Sequence, residues 1–450
     1  MNLVVHSGNP LTGETALPGD KSLSHRAALF AALAEGESQI ENFLESGVTA
    51  AMLRALGALG VPWQLNQGVL HVTGSGLQGF QPPLAALDCG NSATTLRLLA
   101  GALAASGISA VLDGSAGLRR RPMQRIVAPL QEMGVPVEAA PGGGAPLRLE
   151  QRAAVSRLRA LYYRLPVASA QVKTCLMLAG LAADGTTTLV EPELSRDHSE
   201  RMLHAMGAAV WPGEESGCPA VTIEPLTIPL RPLETRIPGD FSAAAFLVVA
   251  ALITPGSQVT LRGVGLNPTR TGLLAALCEM GADIQVLEPR EQSGEPVGDL
   301  LVRYSRLRGT AVNGQRVVDM IDEFPVFAVA AAFAEGTTEV CGAAELRYKE
   351  SDRITMVCTE LQNQGASIEE HPDGFVIHGK GELPGGGVTD PHGDHRLAMA
   401  LAVAGLAAFR PVIVRGAGIM AESFPGYTGL LNRLGARLEE KPGATSGESF

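Results

Sequence analysis

The sequence predicts an α/β protein that is built from repeats and divided into two domains. Three observations lead to this prediction: a length of 450 residues, too long for one ordinary core, a pattern that recurs six times, and two nearly identical Pro-Gly steps. A hydrophobic fraction of 46% with 18% charged residues is typical of a folded globular protein. Aromatic residues make up only 4%, so small aliphatic side chains must fill the core.

Each copy of the pattern, spaced by roughly 70 to 80 residues, opens with a polar segment and continues into a short apolar helix. The polar segments begin at Gly19, Gly90, Ser169, Gly239, Asp322 and Gly393. The apolar helices are predicted over 27–34, 96–105, 175–183, 243–253, 326–334 and 397–408. Because these helices have no polar face, they should be buried.

A β-like segment and a second, amphipathic helix complete each copy. The second helix ends at a glycine that is placed to adopt a positive φ. These glycines are Gly60, Gly134, Gly207, Gly281, Gly365 and Gly435. Since one copy buries too little surface to fold alone, the copies must pack on each other.

The Pro-Gly steps at Pro18-Gly19 and Pro238-Gly239 divide the six copies into two groups of three, and we expect them to be the only crossovers between domains. The predicted domains are residues 1–19 with 239–440, and residues 20–238. Residues 441–450 are expected to form a flexible tail. A repeat scaffold that binds small anions without catalysing a reaction is the alternative to an enzyme.

The composition excludes several classes of partner. A formal net charge of −11 argues against nucleic acid and against anionic membranes, which normally require excess Lys and Arg. The six cysteines form no C-x-x-C pair, which favours reduced thiols in a cytoplasmic protein. No secretory signal is visible, and the apolar stretches are shorter than the roughly 20 residues that span a bilayer.

Cations nevertheless collect at the predicted helix starts and in the loops before them. They are Lys21, Arg26, Arg121, Arg196, Lys349, Arg353 and Arg396. A helix N-terminus carries a partial positive charge, so a cation beside it is unfavourable unless an anion binds there. Any one of these residues could form a surface ion pair, but together they indicate a small ligand with phosphate and carboxylate groups.

Two carboxylates, Asp322 and Glu350, lie in the same cationic segments. Each could simply pair with a neighbouring cation, or the two could act as general acid and base. A metal site at His392 and His395 is not favoured, because these residues lack helical spacing and a partner motif. We therefore predict no metal.

Long motifs in this sequence resemble those of the 5-enolpyruvylshikimate-3-phosphate synthases, over about residues 17–435. The motifs begin at Leu17, Gly90, Arg119, Ala168, Lys349 and Gly393. Two segments, Ser169–Lys173 and Arg196–His198, resemble the class II branch. The resemblance implies an inside-out α/β barrel fold: two domains, each of three βαβαββ repeats, that close over the substrates. It also implies a cytoplasmic enzyme of aromatic amino acid biosynthesis, expected to be a monomer. This enzyme would transfer the enolpyruvyl group of phosphoenolpyruvate to shikimate 3-phosphate and would need no cofactor.

The same resemblance implies roles for individual residues. Those for shikimate 3-phosphate are Lys21, Ser22, Arg26, Ser169, Ala170, Gln171, Arg196, Asp322 and Lys349. Those for phosphoenolpyruvate are Lys21, Asn91, Ala93, Arg121, Gln171, Arg353 and Arg396. Asp322 would act as the base, while Glu350 with Lys21 would protonate the methylene carbon.

Three positions depart from the family pattern or distinguish members within it. Val48 replaces an acidic residue, and Glu422 replaces a lysine that many members use for the phosphate of phosphoenolpyruvate. Ala93 stands where many members have glycine, which implies poor inhibition by glyphosate. The rival within the fold is UDP-N-acetylglucosamine enolpyruvyl transferase, but the stretch from Leu118 to Pro122 lacks the cysteine of that enzyme's flexible loop.

Overall fold

The computed structural model describes residues 1–152 and 157–442, and they divide into two compact units. Unit 1 comprises Met1–Pro18, Gly239–Arg290 and the chain from Pro296 onward; unit 2 comprises Gly19–Pro238 with Glu291–Glu295. The five-residue segment Glu291–Glu295 is grouped with unit 2, although the residues on both sides of it belong to unit 1. That the two Pro-Gly steps are the only crossovers between domains stays a prediction.

The α-helices of the described residues carry both the apolar and the amphipathic segments of the repeats. They are α1 (Lys21–Leu33), α2 (Gly47–Ala58), α3 (Ala93–Ser106), α4 (Ala116–Arg119), α5 (Gln124–Glu132), α6 (Ala170–Gly180), α7 (His198–Ala205), α8 (Phe241–Ile253), α9 (Gly272–Glu279), α10 (Gln315–Asp319), α11 (Phe324–Ala332), α12 (Arg353–Asn363), α13 (His395–Ala407) and α14 (Tyr427–Arg433). Short 3₁₀ helices cover Pro268–Arg270, Ala344–Tyr348 and Ala417–Glu422. No helix in the described ranges is long and apolar enough to cross a membrane.

The strands are short, and most are three to seven residues long. They are β1 (Asn2–His6), β2 (Thr12–Ala16), β3 (Glu35–Glu41), β4 (Trp63–Asn66), β5 (Val69–Ser75), β6 (Leu87–Asp88), β7 (Ala110–Asp113), β8 (Val137–Ala139), β9 (Leu147–Leu149), β10 (Tyr162–Arg164), β11 (Thr187–Val190), β12 (Val210–Glu215), β13 (Cys218–Ile223), β14 (Glu234–Arg236), β15 (Gln258–Gly265), β16 (Asp283–Gln292), β17 (Glu295–Arg303), β18 (Ala311–Val312), β19 (Glu335–Val340), β20 (Ile368–His371), β21 (Gly374–Lys380), β22 (Val388–Thr389), β23 (Val412–Val414) and β24 (Arg437–Lys441).

Within residues 1–152 and 157–442, the strands form six four-stranded sheets with one shared strand order. In the sheet ordered β6-β7-β9-β8, the first pair is parallel and the next two pairs are antiparallel. With helices α3 and α5 between its strands, this copy has the order βαβαββ. The expected six-repeat α/β fold is therefore confirmed.

Three sheets are completed by strands from distant parts of the sequence. Strand β14 pairs with β3, strand β2 pairs with β15, and β1 lies between β23 and β24. The last of these pairings places Lys441 opposite Asn2, so the predicted start of a flexible tail at residue 441 was wrong. Residues 443–450 of that predicted tail lie outside the described residues.

The apolar helices occupy the interior of each unit, as their composition predicts. In unit 2, α3 packs against both α1 and α6, and in unit 1, α8, α11 and α13 pack on one another. The approach of α3 to α6 requires Gly101, since a Cβ there would lie 2.2 Å from the carbonyl oxygen of Cys175. These helices begin two to six residues before their predicted starts, because the polar segments form their first turns. The polar residues are thereby placed at the N-terminal ends of buried helices.

The predicted helix-ending glycines all have positive φ, between 83° at Gly60 and 110° at Gly435. Each follows the last turn of an amphipathic helix, where a left-handed residue satisfies the terminal carbonyl groups. The repeated Met/Leu-Gly signature is therefore explained by backbone conformation.

Candidate active site

Three buried helices of unit 2 start with side-chain caps. Asp20 caps α1 by accepting a hydrogen bond from the Leu23 N–H at 2.8 Å, and Ser92 and Ser169 cap α3 and α6 in the same way. The predicted site residues at these starts are Lys21, Ser22, Asn91, Ala93, Ser169, Ala170 and Gln171. Helix starts of this kind favour anions, because the first N–H groups lack intrahelical acceptors.

His25 joins the starts of α1 and α3. Its Nδ1 lies 2.8 Å from the Lys21 carbonyl oxygen, and its Nε2 lies 3.3 Å from the Ser92 hydroxyl. Burial, opposed in part by the hydrogen bond to Lys21, lowers the pKa of His25 to about 4. A neutral ring therefore donates from Nδ1 to the carbonyl and accepts from the hydroxyl at Nε2.

Gln171 is held in one orientation by two neighbours. Its Oε1 accepts from Arg97 Nη1 at 2.7 Å, and its Nε2 donates to Thr94 Oγ1 at 2.9 Å. Arg97 also donates to the Pro122 carbonyl at 2.9 Å, next to the half-buried Arg121. Sequence reasoning placed Arg97 in a motif without giving it a role; the structure shows that it fixes both the Gln171 amide and the Arg121 loop.

Arg26 is 2% exposed and is surrounded by hydrogen-bond acceptors. It donates to Ser199 Oγ at 2.7 Å, to Thr174 Oγ1 at 3.1 Å and to the Ser22 carbonyl at 3.1 Å. These bonds tie α1 to α6 and to the segment that carries the half-buried Arg196. The role of Arg26 toward a ligand carboxylate stays a prediction.

In unit 1, one buried guanidinium binds three carboxylates. Arg353 is 1% exposed, and it donates from Nε to Asp394 at 2.8 Å, from Nη2 to Glu350 at 2.7 Å and from Nη1 to Asp322 at 3.3 Å. Burial alone would lower the pKa of Arg353, but the three carboxylates outweigh burial and raise it. Arg353 is therefore a permanent cation.

Asp322 is also close to two further cations. Its Oδ1 lies 3.3 Å from Lys349 Nζ, and its Oδ2 lies 3.7 Å from Arg396 Nη2. Arg396 Nη1 donates to the main-chain carbonyl of Asp322 at 3.2 Å. The structure thus brings the acid/base candidates Asp322 and Glu350 to the same guanidinium, that of Arg353.

Asp394 is a site residue to which sequence reasoning gave no role. Its side chain is fully buried, caps α13 through the Arg396 N–H at 2.9 Å and accepts from Arg353. Burial raises the pKa of Asp394, but the adjacent Arg353 outweighs burial and lowers it. The signal was present in the sequence, since Asp394 precedes an apolar helix as N-caps do.

Glu323 is a second buried carboxylate to which sequence reasoning gave no role. It accepts a hydrogen bond from the Ser242 hydroxyl and lies 3.5 Å from Arg396 Nη1. Ser242 in turn accepts from Arg270 Nη2 at 2.7 Å. Arg396 therefore lies beside two carboxylates, those of Glu323 and Asp322.

The predicted residues divide between the two units, and the set that lies in each unit is called its cluster. The unit 1 cluster is Asp322, Lys349, Glu350, Arg353 and Arg396; the unit 2 cluster is Lys21, Ser22, Arg26, Asn91, Ala93, Arg121, Ser169, Ala170, Gln171 and Arg196. The described part of the chain contains no group of His, Cys, Asp and Glu suited to a metal ion. All six cysteines are free, as their spacing predicts. Of the two residues that depart from the family pattern, Val48 lies in α2 and Glu422 is the last residue of a 3₁₀ helix.

Comparison with known proteins identifies the same family. A sequence model described as EPSP synthase (3-phosphoshikimate 1-carboxyvinyltransferase) matches residues 5–431. The 3-phosphoshikimate 1-carboxyvinyltransferases of Parvibaculum lavamentivorans and Desulforudis audaxviator are 47% and 48% identical, over 97% and 98% of this chain and 96% and 100% of theirs.

Solved structures agree with this result. EPSP synthase from Acinetobacter baumannii superposes with a TM-score of 0.85 at 40% identity, covering 97% of this chain and 99% of that one. The enolpyruvyl transferase NikO from Streptomyces tendae has a TM-score of 0.76 at 20% identity, covers 97% of this chain and 98% of its own, and shows the fold alone.

Six four-stranded sheets packed on buried helices, with cations and carboxylates at the helix starts, define an enolpyruvyl transferase. The chain belongs to the EPSP synthase family. It is an enzyme that transfers an enolpyruvyl group in the shikimate pathway of aromatic amino acid biosynthesis, so the predicted class of activity is confirmed.

Proposed function

We propose that this enzyme joins phosphoenolpyruvate to the 5-hydroxyl of shikimate 3-phosphate, giving 5-enolpyruvylshikimate 3-phosphate and phosphate. One observation supports the proposal above all: separate N–H groups of Arg353 hold Asp322 and Glu350 at 3.3 and 2.7 Å. Addition of an alcohol to the double bond of an enol phosphate requires a base for the hydroxyl and an acid for the methylene carbon. Two carboxylates beside one permanent cation can supply both.

The proposed reaction proceeds in two stages. Asp322 accepts the 5-hydroxyl proton as the oxygen attacks C2 of phosphoenolpyruvate, while Glu350 with Lys21 protonates C3. In the second stage, Glu350 takes back a proton from C3, the C2–C3 double bond reforms and the C2–O bond to phosphate breaks. The leaving phosphate takes the proton that Asp322 accepted, so both carboxyl groups return to their starting states. Arg353 and Arg396 would stabilise the anionic adduct.

The binding roles follow from the family resemblance and from the helix starts. Ser169 and Arg196 would hold the phosphate of shikimate 3-phosphate, and Ser22 and Arg26 its carboxylate. The other proposed contacts to this substrate come from Lys21, Ala170, Gln171, Asp322 and Lys349. The proposed contacts to phosphoenolpyruvate come from Lys21, Asn91, Ala93, Arg121, Gln171, Arg353 and Arg396, without the lysine that Glu422 replaces.

A phosphate-release assay tests the proposal. The purified protein should release phosphate from phosphoenolpyruvate when shikimate 3-phosphate is added and should release none with either substrate alone. UDP-N-acetylglucosamine serves as the matched acceptor control and should be inactive. Release with the nucleotide sugar, or none with shikimate 3-phosphate, would contradict the proposal.

We also propose that the two units are the enzyme's two domains and that they close when shikimate 3-phosphate binds. The reason is that the proposed chemistry needs Lys21 of one cluster and Asp322 of the other on the same molecules. X-ray scattering should show a smaller radius of gyration with shikimate 3-phosphate, and no change for an Arg196→Ala variant at the same concentration. We propose, finally, that the protein is a cytoplasmic monomer. The molecular mass obtained from the same scattering experiment tests whether it is a monomer.

A further inference from the structure

Lys173, one turn into helix α6, has the most deeply buried ammonium group among the described lysines. The residue is 1% exposed, and its Nζ lies 2.7 Å from Glu191 Oε2, 2.7 Å from Glu200 Oε1 and 3.2 Å from the Ser195 carbonyl oxygen. An ammonium group has three N–H donors, so each has an acceptor. Neither Glu191 nor Glu200 is more than 8% exposed.

The three acceptors lie on one stretch of chain. Glu191 directly follows β11, Ser195 precedes Arg196, and Glu200 lies in the first turn of α7. Glu191 Oε2 also accepts from the Ser195 N–H at 3.3 Å, which closes a ring of hydrogen bonds. The ammonium group therefore fixes both ends and the middle of the segment that presents Arg196.

Lys173 is fixed in turn to the start of its own helix. Its main-chain N–H donates to the Ser169 carbonyl at 2.9 Å, within the first turn of α6. Ser169 and Arg196 are the two residues proposed to hold the phosphate of shikimate 3-phosphate. Lys173 thus connects the two elements that must be in register to hold that phosphate.

Stability alone does not explain this arrangement. Removing three charged groups from water carries a large desolvation cost, and apolar replacements of such clusters often leave a protein equally stable. Burial by itself lowers the pKa of Lys173, but Glu200 and Glu191 outweigh burial and raise it, so the cation persists. A cluster of fixed, permanent charges is best explained by the geometry that it imposes on the segment carrying Arg196.

We infer that Lys173 is a positioning residue, which orients Arg196 toward the phosphate of shikimate 3-phosphate by holding Glu191, Ser195 and Glu200. This inference rests on the proposed function. It assigns to Lys173 no contact with substrate; its effect passes through Arg196.

The test measures the dissociation constant of shikimate 3-phosphate by calorimetry, without phosphoenolpyruvate. Lys173→Met should weaken binding by about tenfold or more, the size of the loss seen at metal sites when a residue that orients a ligating side chain is removed. The Michaelis constant for phosphoenolpyruvate should stay within about twofold. Met177→Ala, one turn further along α6 in the buried core, is the matched control and should leave the dissociation constant unchanged.

A double-mutant cycle separates positioning from a general structural role. If Lys173 acts through Arg196, Lys173→Met should change the dissociation constant less than about twofold in an Arg196→Ala background. The inference would be overturned if Lys173→Met weakened binding equally in the unmodified protein and in the Arg196→Ala variant. It would also be overturned if Lys173→Met left the dissociation constant of the unmodified protein unchanged. Should Lys173→Met not fold, Glu200→Gln keeps an acceptor oxygen and should give a smaller loss that also disappears in the Arg196→Ala background.

Failure of the proposed function is recognised separately. If the unmodified protein neither binds shikimate 3-phosphate nor releases phosphate with it, the proposed function itself is wrong. If the unmodified protein binds it and Arg196→Ala weakens binding while Lys173→Met does not, only the inference about Lys173 is wrong.

Discussion

Arg353 illustrates how one residue can set the chemistry of several others. Its guanidinium satisfies Asp394, Glu350 and Asp322 together, and Asp394 is bound on the fully buried side. Arg353 and Asp394 thus stay charged, as their opposite pKa shifts show. Glu350 and Asp322, with side chains about one-sixth exposed, are the carboxylates left within reach of a substrate.

Asp322→Asn and Glu350→Gln should each lower kcat by about a hundredfold, the magnitude expected for lost proton transfer. Both replacements keep the side-chain volume, so binding of shikimate 3-phosphate should change little. Steady-state kinetics and calorimetry check the two quantities. Glu369→Gln, which removes a surface carboxylate of unit 1 beside His378, is the control and should retain full activity. Full activity of Asp322→Asn would disprove its role as base.

Ala93 gives a prediction about inhibition. It is the first residue of α3, is 3% exposed and follows the cap Ser92, so its methyl group lies in tightly packed surroundings. The family resemblance implies that glyphosate, slightly longer than phosphoenolpyruvate, would be crowded there, at a cost of about 1 to 3 kcal/mol. Ala93→Gly should therefore lower the glyphosate inhibition constant by up to about a hundredfold.

The Michaelis constant for phosphoenolpyruvate should change little in Ala93→Gly, since the substrate is shorter. Ala102→Gly, a buried position further along α3, distinguishes crowding from general loosening of the helix and should not alter inhibition. Equal inhibition constants for the unmodified enzyme and Ala93→Gly would refute the steric explanation.

At the scale of elements, one repeat of each unit has a close contact between a strand and the end of a buried helix. A Cβ at Gly74 on β5 would lie 2.2 Å from the carbonyl oxygen of Ala31, at the end of α1. In unit 1, a Cβ at Gly379 on β21 would lie 2.2 Å from the Ala334 carbonyl, just after α11. The same packing solution therefore recurs in both units.

Gly379→Ala should lower the free energy of unfolding by roughly 1 to 3 kcal/mol or more, because backbone atoms must move to admit the methyl group. Gly429→Ala is the matched control, since Gly429 is exposed within α14 and its Cβ would be 3.7 Å from the nearest atom, on the flexible Arg433 side chain. That control should stabilise the helix by up to about 1 kcal/mol. Thermal unfolding of the two variants should shift in opposite directions; equal shifts would contradict the packing argument.

The sequence predicted some elements well and others poorly, for physical reasons. Apolar helices such as α8 were found because a helix without a polar face must be buried. The pairing of β14 with β3 was not predicted, because those residues are 195 apart and nothing local encodes their register. Asp394 and Lys173 lie within the motifs that begin at Gly393 and Ala168, but the motifs predict no role for them, since their function depends on partners brought together only by folding.

At the scale of the whole molecule, the enzyme is acidic although its proposed ligands are anions. The net charge of −11 leaves no general attraction for them, so the cations of the two clusters must act locally. Salt should then weaken these buried contacts less than it would weaken surface attraction. The same concentration of charge in buried sites makes folding sensitive to pH.

His25 should make the protein less stable in acid. Its pKa is about 4 when folded and 6.5 unperturbed, so between these values the unfolded chain takes up the proton more readily. The neutral His25 ring contributes its full stabilisation above pH 6.5. The free energy of unfolding should fall by up to about 1.4 kcal/mol per pH unit as the pH drops toward 4.

The variant His25→Asn keeps a hydrogen-bond donor near the Lys21 carbonyl but does not titrate. Denaturant unfolding at several pH values should therefore give a difference in stability between the two proteins that is constant above pH 6.5 and shrinks below it. A difference that stays constant down to pH 4 would show that the buried imidazole is not the acid-sensitive group.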